Sequence, residues 1–188
     1  MMHIQQWFGI QDVFSDEEIE KINSHLEDTD VGRASVVNDI KGGSYMDWLS
    51  RNCKSGWLFA DDQNDWLFQK IIQTIETVNA RTFKFELDHI EPLQFLEYGF
   101  GQFYNKHVDN GSDTVAERKI TMVIQLSDPK DYFGGSLTID SMASARHAPR
   151  GRGSVAIFPS HLPHKAHPVW YGKRKALVAW MRGKKPLS

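Results

Sequence analysis

Hydrophobic positions change their spacing about halfway along the chain, from a helical period to the alternation of strands. Near the start, isoleucine and leucine recur at helical spacing from Ile19 to Leu26. Ser15, followed three residues later by Glu18, fits a capping box at the beginning of this stretch. The pattern therefore predicts a helix over about residues 16–28.

A second helix is predicted over about residues 64–80, where an apolar stripe runs from Leu67 to Val78. The stretch between the two helices, residues 29–62, has no clear period. A loop of this length inside a compact domain is usually functional or mobile. A poorly ordered insertion is the alternative interpretation.

From residue 81 onward, short alternating segments are separated by Gly, Asp, Asn or Pro, which is typical of strands. The segments are RTFKFELD, QFLEY, ITMVIQLS, SLTID, SVAIF and KALVAW. Many short strands after a helical start predict a mainly β fold with flanking helices, a double-sheet jelly roll. With no repeat or linker, we predict one domain over residues 1–188, with a helical part over about 1–80 and a jelly-roll core over about 81–183.

Composition narrows the class of protein. The formal net charge of −2 and the pI near 6.4 give no basic field for nucleic acid or anionic lipid. A single cysteine, Cys53, excludes an internal disulfide and a Cys-rich zinc site. Neither a signal peptide nor a membrane-spanning stretch is apparent, so we expect a cytoplasmic protein with no membrane partner.

His107 and Asp109 form the first candidate for chemistry. In an extended segment, residues two apart point the same way, so an imidazole and a carboxylate at this spacing share one metal ion. Such ligands suit Fe(II), Mn(II) or Co(II). An H-x-D tripeptide also occurs often by chance, and a surface His beside an Asp is the alternative interpretation.

A third ligand is available in the C-terminal run FPSHLPHKAHPVWYGKRKALVAW, which contains His161, His164 and His167. One of these, on a neighbouring strand, would complete a site of two His and one carboxylate and leave three coordination positions open. Spacing alone does not choose among them. Arg174, at the start of the following strand, is suited to bind a carboxylate bidentately. Lys173 is a rival, but alternation turns only one of the two inward.

With these segments in order, the chain resembles the 2-oxoglutarate- and Fe(II)-dependent oxygenases, in the prolyl 4-hydroxylase-like branch. The resemblance covers roughly residues 64–183 and is carried by QFLEYGFGQFYNKHVD, ERKITMVIQLSDPKDYFGGSLTI and RGSVAIFPSHLPHKAHPVWYGKRKALVAWMRG. It implies a double-stranded β-helix, which is a distorted jelly roll. It also implies that His107, Asp109 and His164 bind Fe(II).

The resemblance assigns further roles around this site. It implies that Arg174 binds the distal carboxylate of 2-oxoglutarate and that Tyr98 hydrogen-bonds the cosubstrate. Tyr104 lies near the pocket or in the core, and Gln94 shares a strand with Tyr98. In the relatives, the region before the core often supplies a loop over the substrate, a role open to residues 31–62. Ascorbate is a candidate reductant.

The reaction implied is hydroxylation of a C–H bond, with a peptidyl proline or similar residue as the leading substrate. A free amino acid or other small molecule is the close competitor. A nucleic-acid demethylase is less favoured, because the next arginine after Arg174 is Arg182, beyond Trp180, and because basic surplus is lacking. A jelly-roll binding module without turnover is the non-enzymatic alternative.

Overall fold

The structure is a computed structural model of the 188-residue chain. It describes residues 7–27, 32–33, 36–37, 44–45, 50–111, 115–141 and 144–183. Within these ranges the chain forms two helices and sixteen strands. No helix in the described ranges is long and apolar enough to cross a membrane.

The two helices precede most of the strands. The helices are α1 (Asp16–Glu27) and α2 (Asp65–Arg81). The strands are β1 (Phe8–Ile10), β2 (Gly32–Arg33), β3 (Val36–Val37), β4 (Ser44–Tyr45), β5 (Arg51–Asn52), β6 (Lys54–Leu58), β7 (Leu93–Tyr98), β8 (Phe103–His107), β9 (Arg118–Gln125), β10 (Tyr132–Gly134), β11 (Leu137–Ser141), β12 (Ser144–His147), β13 (Val155–Pro159), β14 (His164–Ala166), β15 (Val169–Gly172) and β16 (Arg174–Arg182).

Two antiparallel sheets form the body of the fold. The larger has the strand order β1-β13-β9-β16-β7-β6-β2, and the smaller has the order β12-β11-β14-β8-β5. Two further pairs, β10-β15 and β3-β4, complete the strands. Two facing sheets built from non-consecutive strands are the arrangement of a double-stranded β-helix. The predicted fold class, mainly β with flanking helices, is confirmed.

The larger sheet is apolar on one face and mixed on the other. On β9, Ile120, Met122 and Ile124 pack with the helices in one core, while Val123 belongs to a second core between the sheets. This alternation follows from the two-residue period of a strand. The second core contains the polar side chains that matter for chemistry, because the smaller sheet faces it.

Both helices lie close to their predicted positions. Ser15 and Glu18 form the expected capping box: the Ser15 amide donates to Glu18 Oε2 at 2.8 Å, and the Glu18 amide donates to Ser15 Oγ at 3.2 Å. The α2 stripe packs against the larger sheet, with Leu67 and Ile71 fully buried. Burial of these apolar faces holds both helices on the sheet.

The predicted strand over RTFKFELD is wrong. Residues 84–89 form no strand, and Lys84 has a positive φ of 58° that interrupts an extended run. The Asn79 side chain both accepts from the Phe85 amide and donates to its carbonyl, each at 2.9 Å. These bonds hold the segment against the end of α2, while Phe83 and Leu87 pack on the core.

The boundary between a helical part over 1–80 and a jelly-roll core over 81–183 is also wrong in one respect. Strands β1 and β6 from the first part join the larger sheet, and β5 joins the smaller sheet. β1 and β5 are edge strands of the two sheets and β6 lies between β7 and β2, so residues before 81 are part of the jelly roll. The side chains of Tyr45 and Trp48 lie outside the described residues.

Candidate metal centre and cosubstrate pocket

His107, Asp109 and His164 come together between the sheets. His107 ends β8 and His164 begins β14, and the two are direct partners across these antiparallel strands. Asp109 follows two residues after His107, where its amide donates to the Ser160 carbonyl at 2.9 Å. One ligand atom from each residue lies within 4.8 Å of the others, so together they could hold one metal ion.

Local hydrogen bonds turn both imidazoles in the same sense. His107 Nδ1 lies 2.7 Å from the Asn105 carbonyl oxygen, and His164 Nδ1 lies 3.0 Å from the Leu162 carbonyl oxygen. The Nε2 atoms face the carboxylate instead, at 3.5 Å from Asp109 Oδ1 for His107 and 3.4 Å from Oδ2 for His164. A donor role for each Nδ1–H leaves each Nε2 lone pair available to a metal.

Asp109 is oriented by a buried hydroxyl pair. Thr121 Oγ1 donates to Asp109 Oδ2 at 2.8 Å and lies 3.0 Å from Ser160 Oγ. Thr121 and Ser160 are fully buried. Because hydrogen-bond partners behind a ligand fix its direction, this pair is a supporting shell for the carboxylate.

The protonation states of His164 and Asp109 suit a divalent cation. Burial lowers the pKa of His164 to about 4 although Asp109 opposes the shift, so this imidazole is neutral at pH 7. Burial alone would raise the pKa of Asp109, but the adjacent His164 and His107 rings outweigh it and hold that pKa below its usual range. A neutral imidazole and an ionised carboxylate are the forms that ligate metals.

Arg174 extends from the start of β16 into the same space. It is 3% exposed, and its guanidinium carbon lies 5.4 Å from the centre of the Tyr98 ring. Gln125 Oε1 accepts from its Nε at 3.2 Å and its Nη2 at 3.0 Å. Lys173 instead lies outside, with a 63% exposed side chain 3.4 Å from Glu97. Arg174 is therefore the inward cation, as alternation predicts.

The 2OG-Fe(II) oxygenase superfamily model matches residues 93–182, which contain Tyr98, His107, Asp109, His164 and Arg174. The chain belongs to this superfamily. The match extends from β7 to β16, so it includes strands of both sheets, the three candidate metal ligands, Arg174 and Tyr98. The expected dioxygenase class is thereby confirmed, together with its cofactors at the level of the family, Fe(II) and 2-oxoglutarate.

Several relatives of the oxygenase are PKHD-type hydroxylases. A PKHD-type hydroxylase of Idiomarina loihiensis is 22% identical over 165 residues, which cover 85% of this chain and 75% of that protein. A PKHD-type hydroxylase of Psychrobacter is 31% identical over 170 residues, covering 81% and 66%. The chain spans about half the length of several other PKHD-type hydroxylases that it matches.

Solved structures share the oxygenase fold. A Pseudomonas putida prolyl-4-hydroxylase superposes with a TM-score of 0.73 at 17% identity, covering 96% of this chain and 94% of that one. A Trichoplax adhaerens prolyl hydroxylase, in complex with a hypoxia-inducible-factor peptide fragment, superposes with a TM-score of 0.74 at 17% identity, covering 94% and 83%. At these identities the structures confirm the double-stranded β-helix.

In this oxygenase, the candidate ligands and Arg174 line one cavity of about 430 Å³. Three arginines and four large aromatic residues are among the described residues of its wall. They are Arg51, Arg118, Arg174, Trp57, Tyr98, Tyr104 and Trp180. The aromatic surface and the few charged groups are the usual lining of a small-molecule site.

On one wall of the cavity, the Tyr104 ring stacks on His107, one of the candidate metal ligands. The rings of Tyr104 and His107 are nearly parallel, and their centres lie 3.4 Å apart. The Arg51 guanidinium lies 4.6 Å from the centre of the Tyr104 ring. Burial raises the pKa of Tyr104 to about 12, so its phenol stays protonated. The sequence left Tyr104 open between the pocket and the core; its side chain lines the pocket and also packs against the second core.

The opposite wall is formed by two tryptophans. The Trp57 and Trp180 ring centres lie 6.1 Å apart, and the Arg118 guanidinium lies 3.9 Å from the Trp180 ring centre. Arg118 also forms a two-point ion pair with Glu91, with contacts of 2.9 and 2.6 Å. Trp57 is 43% exposed, so this wall reaches the surface.

The other two histidines of the C-terminal run lie elsewhere. His161 is exposed, and His167 Nε2 lies 3.0 Å from Thr138 Oγ1, away from the metal-binding group. Gln94, which the sequence placed on the Tyr98 strand, does line the cavity. Arg51 and Gln125 were missed.

Of these two residues, Gln125 could have been identified from the sequence pattern, whereas Arg51 could not. The alternation of ITMVIQ places Thr121, Val123 and Gln125 on one face, which could have identified Gln125. Arg51 has no such signal, because it lies in the stretch without a period. Only the pairing of β5 with β8 brings it beside Tyr104.

Proposed function

We propose that this oxygenase binds Fe(II) through His107, Asp109 and His164 and 2-oxoglutarate through Arg174 and Tyr98, and that it hydroxylates a C–H bond. The substrate that we propose is a peptidyl proline or similar residue. The observation that carries the proposal is the convergence of the three ligand atoms, within 4.8 Å, in a cavity that also holds a buried arginine.

The residues present fit both groups. Two imidazoles and one carboxylate form a ligand face suited to Fe(II), which leaves other coordination positions for a cosubstrate and O2. The Nε2 atoms and the carboxylate already point toward one another, and Thr121 holds the carboxylate from behind. The ligand set therefore needs little rearrangement to accept a cation.

The protein's own contribution is binding and orientation. Arg174 would hold the distal carboxylate of 2-oxoglutarate, with the Tyr98 ring against the guanidinium. Tyr98 is buried, and that burial raises the pKa of its phenol, so its hydroxyl remains available as a donor. When bound, Fe(II) and 2-oxoglutarate supply the oxidising power for inserting oxygen from O2 into a C–H bond.

Two observations support a prolyl substrate. The Trichoplax relative of similar fold is a prolyl hydroxylase in complex with a peptide fragment, so a chain with this architecture accepts a peptide. In this chain, Trp57 and Trp180 offer aromatic surface along a wall that reaches the exterior. Flat aromatic faces suit the apolar ring of proline held in a chain that continues outside.

The substrate is tested by mass spectrometry after incubation with Fe(II), 2-oxoglutarate and ascorbate, the reductant that we propose. Prolyl peptides and free amino acids are supplied in parallel, with a mixture lacking 2-oxoglutarate as the control. We expect a gain of one oxygen on a prolyl peptide and matching succinate release. A gain on free proline but on none of the peptides would contradict the peptidyl proposal and favour the small-molecule alternative.

We also propose that residues 1–188 act as one oxygenase domain. The support is that β1 and β6, from the start of the chain, share a sheet with β16 near its end. Such pairing couples the two parts in folding. Cytoplasmic residence stays a prediction, as does the absence of a nucleic-acid partner.

A further inference from the structure

Gln125 is a buried amide at the end of β9 that faces the interior of the jelly roll. It is 2% exposed and lies on the same face as Val123, which lines the cavity. The pairing of β9 with β16 places Gln125 opposite Ala176, two residues from Arg174. The amide therefore reaches the guanidinium from the neighbouring strand.

The contact occupies one defined edge of the guanidinium. Gln125 Oε1 accepts from both Nε and Nη2 of Arg174, at 3.2 and 3.0 Å. A guanidinium has only donors, so the oxygen of the amide has to face it and the orientation of the amide is fixed. With the Nε–Nη2 edge taken, a bidentate carboxylate has to approach the end edge formed by Nη1 and Nη2.

The stem of Arg174 is confined as well. The Tyr98 ring lies against the guanidinium. Gly135, at a φ of +61°, lies so close that a Cβ there would come within 3.2 Å of Arg174 Cδ. Packing on the stem and a double hydrogen bond on one edge leave the guanidinium few alternative orientations.

We propose that Gln125 is a positioning residue that presents the end edge of Arg174 to the distal carboxylate of 2-oxoglutarate. This inference rests on the proposed function, in which Arg174 binds that carboxylate. The neutral amide matters because it orients the arginine without cancelling its charge. A carboxylate at position 125 would orient the arginine equally well but would compete with the cosubstrate.

The test measures 2-oxoglutarate binding to the Ni(II)-loaded protein by calorimetry, which requires no turnover. Gln125→Met keeps the length of the side chain and removes the acceptor, and its Kd for 2-oxoglutarate should rise about tenfold or more, as expected for a lost bond to a charged group. Gln125→Glu keeps the shape and adds a charge, and its Kd should rise further. The backbone bonds of Gln125, with Ser154 and Gly153, remain in both variants.

Two controls separate positioning from general damage to the fold. The first is 2-oxovalerate, in which a methyl group replaces the distal carboxylate. Its Kd should be the same for Gln125→Met and the unsubstituted protein. The second is a double-mutant cycle with Arg174→Gln, in which adding Gln125→Met should cause no further loss. If Gln125 contributed only to packing, Gln125→Met would weaken the binding of both ligands. The loss of affinity would then also occur in the Arg174→Gln background.

The outcomes also distinguish this inference from the proposed function. If 2-oxoglutarate binds and depends on Arg174, but both Gln125 variants bind it as tightly as the unsubstituted protein, the inference is wrong and the proposed function stands. The inference would also be overturned if Gln125→Met reduced 2-oxoglutarate affinity by the same factor in the presence of Arg174 and in the Arg174→Gln background. If the Ni(II)-loaded, unsubstituted protein binds no 2-oxoglutarate, the proposed function fails and the inference fails with it.

Discussion

The two faces of the larger sheet use the same strands for different purposes. On β16, Leu177, Ala179 and Met181 face the helices and are wholly apolar, whereas Arg174 and Trp180 on the other face line the cavity. The helix-facing side chains do not line the cavity, and their packing contributes to stability. The inner side contains buried polar groups around an open cavity, among them the Arg174–Gln125 and Thr121–Asp109 pairs.

This difference indicates that single substitutions can affect stability and ligand binding separately. Adjacent positions on a strand point to opposite faces, so neighbouring substitutions should have different consequences. Changes on the helix-facing side should lower the free energy of unfolding and leave ligand affinity intact. Changes on the inner side should lower ligand affinity and have less effect on the free energy of unfolding.

The largest effect is expected from Asp109→Ala on the inner side. The substitution removes a proposed metal ligand, and turnover should fall by more than about a hundredfold, because even residues supporting a ligand contribute 10- to 100-fold. Succinate release and Mn(II) affinity would be measured together. The exposed Asp88→Ala is a matched control and should change neither. Retained metal binding in Asp109→Ala would show that the ligand assignment is wrong.

The next effect is expected from Ile124→Ala on the helix-facing side. Ile124 is fully buried between β9 and the helices, so its truncation should lower the free energy of unfolding by about 2–5 kcal/mol. The Mn(II) affinity of the folded protein should stay unchanged. Urea denaturation and metal titration measure the two quantities.

The adjacent Val123→Ala gives the comparison its sharpest control. Val123 already borders the cavity, so removing its methyl groups should cost less stability than Ile124→Ala. If the two variants were equally destabilised, the separation between the faces would be contradicted.

A smaller effect is expected from Thr121→Val. The hydroxyl of Thr121 donates to Asp109 Oδ2 at 2.8 Å, and its loss should weaken Mn(II) binding by about 10- to 100-fold. Thr138→Val, which removes a buried hydroxyl that contacts His167 instead, should leave metal affinity unchanged. Equal affinities in the two variants would remove the supporting role that we assign to Thr121.

The smallest effect is expected from Ser15→Ala at the start of α1. The substitution removes the acceptor for the Glu18 amide and should cost about 1 kcal/mol of unfolding free energy. Ser24, exposed within the same helix, bonds the Lys21 carbonyl, and Ser24→Ala should cost little. Thermal denaturation of both variants tests the cap, and metal affinity should not move in either. A cost as large for Ser24→Ala would show that the cap contributes nothing special.

Sequence patterns predicted the parts of the structure that local spacing determines. The strands around Val123 and Leu177 and the cap at Ser15 follow from period and short motifs. Segment order and family resemblance then pointed to His164, and the structure places its Nε2 atom beside Asp109.

The errors occur where contacts that the hydrophobic period does not encode decide the outcome. The alternating segment after α2 has the period of a strand, but Asn79 binds both backbone groups of Phe85 and prevents sheet pairing. Arg51 enters the cavity only because β5 pairs with the distant β8. Neither contact is encoded in local spacing.

The most direct test of the central claim is a crystal structure with Mn(II) and 2-oxoglutarate. We predict that the metal is bound by Nε2 of His107, a carboxylate oxygen of Asp109 and Nε2 of His164. The distal carboxylate of 2-oxoglutarate should lie on the end edge of Arg174. A metal bound away from these three side chains, or a distal carboxylate on another cation such as Lys173, would contradict the account.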